Sequence, residues 1–215
     1  MEMIKISGWP LFIALLLGMF SDARADILAP DVLIKNTVQD VLAIIKQDKE
    51  IKKGNQQKIL ALVDEKILPH FDFTHMTRLA VGKSWRTATP EQRQILESEF
   101  QQLLVRTYTK AFTVYSNYDV EVKPLKMESR ATEVTVRTLI RIPGGQPVTV
   151  DYDLKKTESG WKAYDLLIEG VSMVTSYRSA FADEIQRGGI DGLIKTLVEK
   201  NKTAVKDSVQ KAGEQ

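Results

Sequence analysis

Residues Tyr164 to Phe181 read YDLLIEGVSMVTSYRSAF. An apolar run carries Asp165 and Glu169 at its end, passes Gly170, and turns into a helix from about Ser172. The strand before that glycine and the helix after it decide the fold. Two carboxylates beside Tyr177 and Arg178 suit general acid–base chemistry, and they suit ion pairing in the wall of a pocket equally well. The rest of the chain must choose between these.

Towards the N-terminus the apolar residues recur with period two. They fall in four segments: Val120 and Val122; Val134, Val136, Thr138, Ile140 and Ile142; Val148, Val150, Tyr152 and Leu154; and Trp161 to Ile168. With turns at Pro143-Gly144-Gly145 and Glu158-Ser159-Gly160, these predict four antiparallel strands. Glu133, Thr135, Arg137 and Arg141 alternate with the apolar set, so one sheet face is wet and the other meets helices.

Helical spacing governs most of what remains. Val32, Leu33, Val38, Val41, Leu42 and Ile45 mark a first helix, and Gly54-Asn55 stops it and caps a second that ends before Pro69. A short helix is expected from Thr74 to about Val81. Thr89-Pro90 then opens a long one, expected to reach about Tyr115. Leu96, Phe100, Leu103, Leu104, Tyr108, Ala111, Phe112 and Tyr115 give this helix a stripe wider than one contact needs, which predicts apolar neighbours on two sides. A break at Gly188-Gly189 precedes a last helix, and a polar tail from about 203 to 215 is expected to fray.

The first 25 residues read as a secretory signal peptide: Lys5, an apolar run from Trp9 to Phe20, then Ala23-Arg24-Ala25, with cleavage expected before Asp26. Residues 26–215 are left as a single domain. A net charge of +2 argues against nucleic acid as the partner, and the chain has no cysteine for a disulfide or a thiolate site.

The chemical motifs fail one after another. His70 and His75, the only histidines, stand five apart, whereas zinc-binding helices use a spacing of four, so no metal is expected and Asp72 between them reads as a helix cap. Gly170-Val171-Ser172-Met173-Val174 approaches the nucleophile elbow but puts Val174 where glycine is required, leaving Ser172 as an N-cap. No glycine-rich phosphate loop appears, so no cofactor is expected. Glu169 and Arg178 read as a structural pair that fastens the last strand to the helix after it.

LAVGKSWRTATPEQR (Leu79 to Arg93), LLVRTYTKAF (Leu103 to Phe112), VDYDL (Val150 to Leu154), and WKAYDLLIEGVSMVTSYRSAF (Trp161 to Phe181) followed by GGIDGLI resemble the MlaC family, the toluene-tolerance auxiliary proteins. The resemblance implies an α+β fold of the nuclear-transport-factor-2 type, a twisted antiparallel sheet whose helices enclose an apolar cavity. It also implies a monomeric periplasmic phospholipid carrier, not an enzyme, that maintains outer-membrane lipid asymmetry with phospholipid as cargo. The implied partners are the inner-membrane ABC transporter complex containing MlaD and the outer-membrane lipoprotein MlaA with its porin. Leu79, Phe100, Leu104, Tyr108, Ala111, Val136, Ile140, Val150, Tyr152, Ile168, Val171, Val174 and Tyr177 are expected to line the lipid pocket. The alternatives are an isomerase or hydrolase using Asp165 or Glu169, and an adaptor for apolar peptides or lipid anchors.

Overall fold

The computed structural model describes residues 27–115 and 118–213, leaving aside the side chains of 110–115 and 204–213. The expected signal peptide lies outside the described residues.

Most helices start at a residue whose side chain can accept from the backbone. Helix α1, Pro30–Gln47, begins with proline, whose missing N–H would have no intrahelical partner there. Asp48 caps α2, Lys49–Lys52, and Asn55 caps α3, Gln56–Lys66, accepting from Lys58 N–H at 3.2 Å. Asp72 caps α4, Phe73–Val81, accepting from His75 N–H at 2.8 Å. Helix α5, Pro90–Tyr115, opens on a capping box in which Thr89 and Gln92 exchange bonds of 3.0 and 3.1 Å. Helix α6, Met173–Gly213, is two helical segments joined at Gly189, so the expected break is present. The tail does not end that helix, which continues to Gly213.

The sheet is an antiparallel meander of β1, Asp119–Val122; β2, Glu133–Arg141; β3, Val148–Thr157; β4, Gly160–Ile168; and β5, Val171–Ser172. It therefore has five strands where four were expected. Val171 and Ser172 do not run straight into the helix; they pair back onto Ile168 and Leu167. The reversal is a two-residue turn in which Glu169 and Gly170 both have positive φ, 50° and 77°. That pattern matches the type I′ hairpin, whose twist suits paired strands.

Burial along β2 alternates as expected, with Val136 and Thr138 buried and Glu133, Thr135, Arg137 and Arg141 exposed. The helix-facing side carries one core of Ile34, Val136, Leu154, Trp161 and Ala163, against which Leu33, Val38 and Phe71 pack. A second core is helical and joins α4, α5 and α6 through Met76, Ala80, Leu96, Phe100, Leu104, Val174, Phe181, Leu193 and Leu197. A third joins α1, α2 and α3. The seam between the first two cores sets up the candidate site.

Candidate functional site

Strand register arranges the helix-facing side of the sheet in rows. Val134 and Leu154 pair across β2 and β3, and Leu154 pairs with Ala163 on β4. This row is packed shut. The next is Val136, Tyr152 and Leu166, and here the cores meet: Tyr152 packs against the sheet core and Leu166 against the helical one. Beyond it come Val122, Thr138, Val150 and Ile168, then Val120, Ile140 and Val148. Among the described residues, Val120, Ile140, Val148, Val150 and Ile168 are half-buried and join none of the three cores. One end of the sheet thus presents, among the described residues, aliphatic side chains that belong to none of the cores. Burying such a side chain fully is worth about 1.5–3 kcal/mol, so an apolar occupant of this end gains from every row it covers.

The thirteen expected pocket residues separate into groups. Phe100, Leu104 and Val174 are at most 4% exposed and lie inside the helical core. Phe100 makes edge contacts with Tyr177 and Phe181, both at 5.2 Å. At Phe100 and Leu104 the apolar neighbour of α5 is therefore another helix. Leu79, Tyr108 and Tyr177 sit at the margin of that core, Val136 is buried in the sheet core, and Tyr152 borders it. Ile140, Val150 and Ile168 lie on the uncovered end. Val171 is 62% exposed on β5, which places it on the surface and not in an enclosed wall. Ala111 belongs to α5, but its side chain is outside the described ones.

Glu169 and Arg178 are not brought together as a pair. The Glu169 carboxylate accepts from the Thr149 backbone N–H and, at 3.1 Å, from its hydroxyl, while the Glu169 N–H donates to the Thr149 carbonyl at 3.0 Å. The hairpin turns Glu169 towards β3, and the Arg178 guanidinium lies over Gly82, about 3.6 Å from where a Cβ would stand. The fastening role falls to Asp165, buried at 7% exposure. One of its oxygens accepts from the Leu166 and Val174 N–H groups at 2.8 and 3.1 Å, and the other accepts the Ser172 hydroxyl. Ser172 in turn accepts from Thr175 N–H at 2.9 Å, so it caps α6 as its sequence position implied. A buried carboxylate flanked by a hydroxyl N-cap was the signal available for this clamp.

Three of the polar groups near the seam are phenols. Burial, followed by the charge and hydrogen bond of Tyr177, holds the Tyr108 hydroxyl above its usual range. Burial alone pushes Tyr152 up to about 12. The histidines stand apart from this: His75 stacks on Tyr164 at 4.5 Å, and burial lowers the pKa of both His70 and His75. Among the described residues no group of His, Asp or Glu could hold a metal ion. An open groove of about 730 Å³ runs along α5, lined by Trp85 and Pro90 together with Thr74, Arg93, Glu97 and Gln101; hydrocarbon laid there would have to cover the charges of Arg93 and Glu97.

Residues 35–199 match the family described as MlaC protein. The chain belongs to the MlaC family. It is 28% identical over 189 residues to the toluene tolerance protein ttg2D of Pseudomonas putida, covering 85% of this chain and 87% of that one. It is 24% identical over 199 residues to the intermembrane phospholipid transport system binding protein MlaC of Haemophilus influenzae, covering 90% and 93%. The phospholipid-binding protein of Ralstonia solanacearum, solved in complex with a phospholipid, superposes with a TM-score of 0.77 at 40% identity. That match covers 83% of this chain and 99% of the other. Among the described residues, no helix of this MlaC-family chain is long and apolar enough to cross a membrane.

Proposed function

We propose that this chain is a periplasmic phospholipid carrier, exported by its N-terminal signal peptide, that moves lipid between the inner and outer membranes and so maintains outer-membrane lipid asymmetry. The observation that carries the reading is the uncovered aliphatic end of the sheet beside the seam between two cores, supported by the phospholipid held by the Ralstonia relative. Ile140, Val150 and Ile168, with Tyr108, Tyr152 and Tyr177 at the margins, are the residues assigned to the acyl tails. The sheet and its helices would then form the curved cup of a nuclear-transport-factor-2-type fold.

The energetics fit a shuttle. Two acyl tails hold about thirty methylenes at about 0.8 kcal/mol each, so escape through water is opposed by roughly 20 kcal/mol or more. An apolar site replaces the contacts of the bilayer and lets the lipid leave again at either membrane. Direction is then set by docking partners, for which the MlaD-containing transporter complex and MlaA with its porin are the candidates. An enzyme reading needs a carboxylate facing a polar cavity, yet both Asp165 oxygens are occupied and Glu169 is exposed on the hairpin, with one oxygen bound to Thr149.

The test is organic extraction and mass spectrometry of protein purified without detergent, followed by lipid transfer between donor and acceptor vesicles. Co-purified phospholipid with measurable transfer is the expected result. Protein that never yields phospholipid overturns the reading, and lipid that binds without transfer favours an adaptor.

A further inference from the structure

The margins of the site are not wholly apolar, and one polar group there is unaccounted for. Tyr152 lies midway along β3, in register with Val136 and Leu166, on the row where the packed part of the sheet gives way to the uncovered part. Its hydroxyl has no hydrogen-bond partner among the described residues. Thr138, one row on, differs: its hydroxyl donates to the Val150 carbonyl at 2.6 Å and needs nothing more. Tyr108 and Tyr177 are hydrogen-bonded to each other, so each phenol already has a partner. Of these three phenols, Tyr152 alone lacks a partner among the described residues, and a donor left unpaired under hydrocarbon is costly.

We infer that the Tyr152 hydroxyl donates a hydrogen bond to an ester carbonyl of the bound glycerophospholipid, making Tyr152 a specificity-determining residue for ester-linked chains. The inference rests on the carrier reading. The chemistry of the cargo narrows the partner. Acyl methylenes offer no acceptor, and a phosphate brings a charge that is expensive to bury among Val136, Val150 and Leu166. The ester carbonyl is a neutral acceptor that sits where the tails begin. Pairing it with a neutral phenol removes two unsatisfied groups at once, and an ether oxygen is a far poorer acceptor.

The experiment loads purified protein from mixed vesicles containing equal amounts of diacyl and dialkyl phosphatidylethanolamine with matched chains. Extracted lipid is quantified by mass spectrometry for the wild type and for Tyr152→Phe, with circular dichroism to confirm folding. The wild type is expected to take up the diacyl lipid about threefold to tenfold over the dialkyl one, the range one net hydrogen bond supplies. Tyr152→Phe is expected to take up both equally. Equal uptake by the wild type overturns the inference whether or not the variant folds; it is also the result if the phenol pairs with a water. A variant that keeps the preference overturns it, as does a variant that loses both lipids in equal proportion. Extracts free of either lipid overturn the carrier reading itself, a result distinct from equal loads.

Discussion

Asp165 shows how one side chain can join two elements. Three donors converge on its two oxygens: the Leu166 N–H from its own strand, and the Val174 N–H and Ser172 hydroxyl from the start of α6. Removing a buried acceptor leaves donors unpaired, so Asp165→Ala is expected to lower unfolding free energy by about 2–4 kcal/mol in urea titrations. Asp165→Asn should lose less, since its amide keeps one acceptor. Lipid recovered per folded molecule is expected to stay unchanged in both; loss of lipid at wild-type stability would instead mark Asp165 as part of the site. Tyr152 gives a second prediction, through pH. Its folded pKa of about 12 exceeds the ordinary value of 10, so its contribution is complete below pH 10 and is lost as pH rises towards 12. Wild-type stability is therefore expected to fall between pH 10 and 12 relative to Tyr152→Phe, and ultraviolet difference spectra should lose one late-ionising tyrosine in that variant. Parallel stability curves across that range would contradict a buried phenol.

At the scale of elements, Gly189 is the point where α6 changes course. Its φ of 66° and ψ of −168° belong to a region that residues with a Cβ almost never occupy. No atom crowds the position, so the backbone is the whole constraint. Gly189→Ala is expected to destabilise by about 1–3 kcal/mol, while Gly188→Ala, in ordinary helix, should be neutral or mildly stabilising; thermal melts separate the two. Equal effects would mean that the bend is not needed. This break was legible in the sequence, as were the caps at Asn55, Asp72, Thr89 and Ser172, because each follows from residues within a few positions of it. The hairpin at Glu169-Gly170 was not. A glycine after an acid reads as a simple bend, and the contact that supports a positive φ at Glu169 comes from Thr149 on β3. The Glu169–Arg178 pairing failed for the same reason, since charges nine residues apart carry no information about which neighbour each will face. The described part of the wide stripe on α5 packs against α4 and α6, yet hydrophobicity cannot say whether a neighbour is lipid or another helix. For Phe100 and Leu104 it was protein.

At the scale of the molecule, the separation of the packed cores from the uncovered end of the sheet predicts opposite outcomes for the same substitution at two sites. Leu104 is 4% exposed among Phe100, Val174 and the other apolar side chains of the helical core, and a carboxylate there would be buried against hydrocarbon. Leu104→Glu is expected to cost several kcal/mol, enough to leave a domain of ordinary stability mostly unfolded. Ile140 is half-buried, joins no core, and pairs through its backbone with Val120 and Val148. Ile140→Glu keeps those backbone bonds and can hydrate its charge, so the fold should survive with a loss of about 1–2 kcal/mol. The lipid cannot adapt in that way, because acyl chains laid over the same row would have to bury the carboxylate or leave the strand. Ile140→Glu is therefore expected to purify folded and depleted of phospholipid. It should also lose the rise in melting temperature that added phospholipid gives the wild type, since a ligand bound only to the folded state stabilises it by mass action. Circular dichroism melts with and without added lipid, read beside extraction of the same samples, decide the matter. A folded Ile140→Glu protein with a full lipid load would move the tails away from this end of the sheet, and a folded Leu104→Glu protein that has lost its lipid would move them into the helical core.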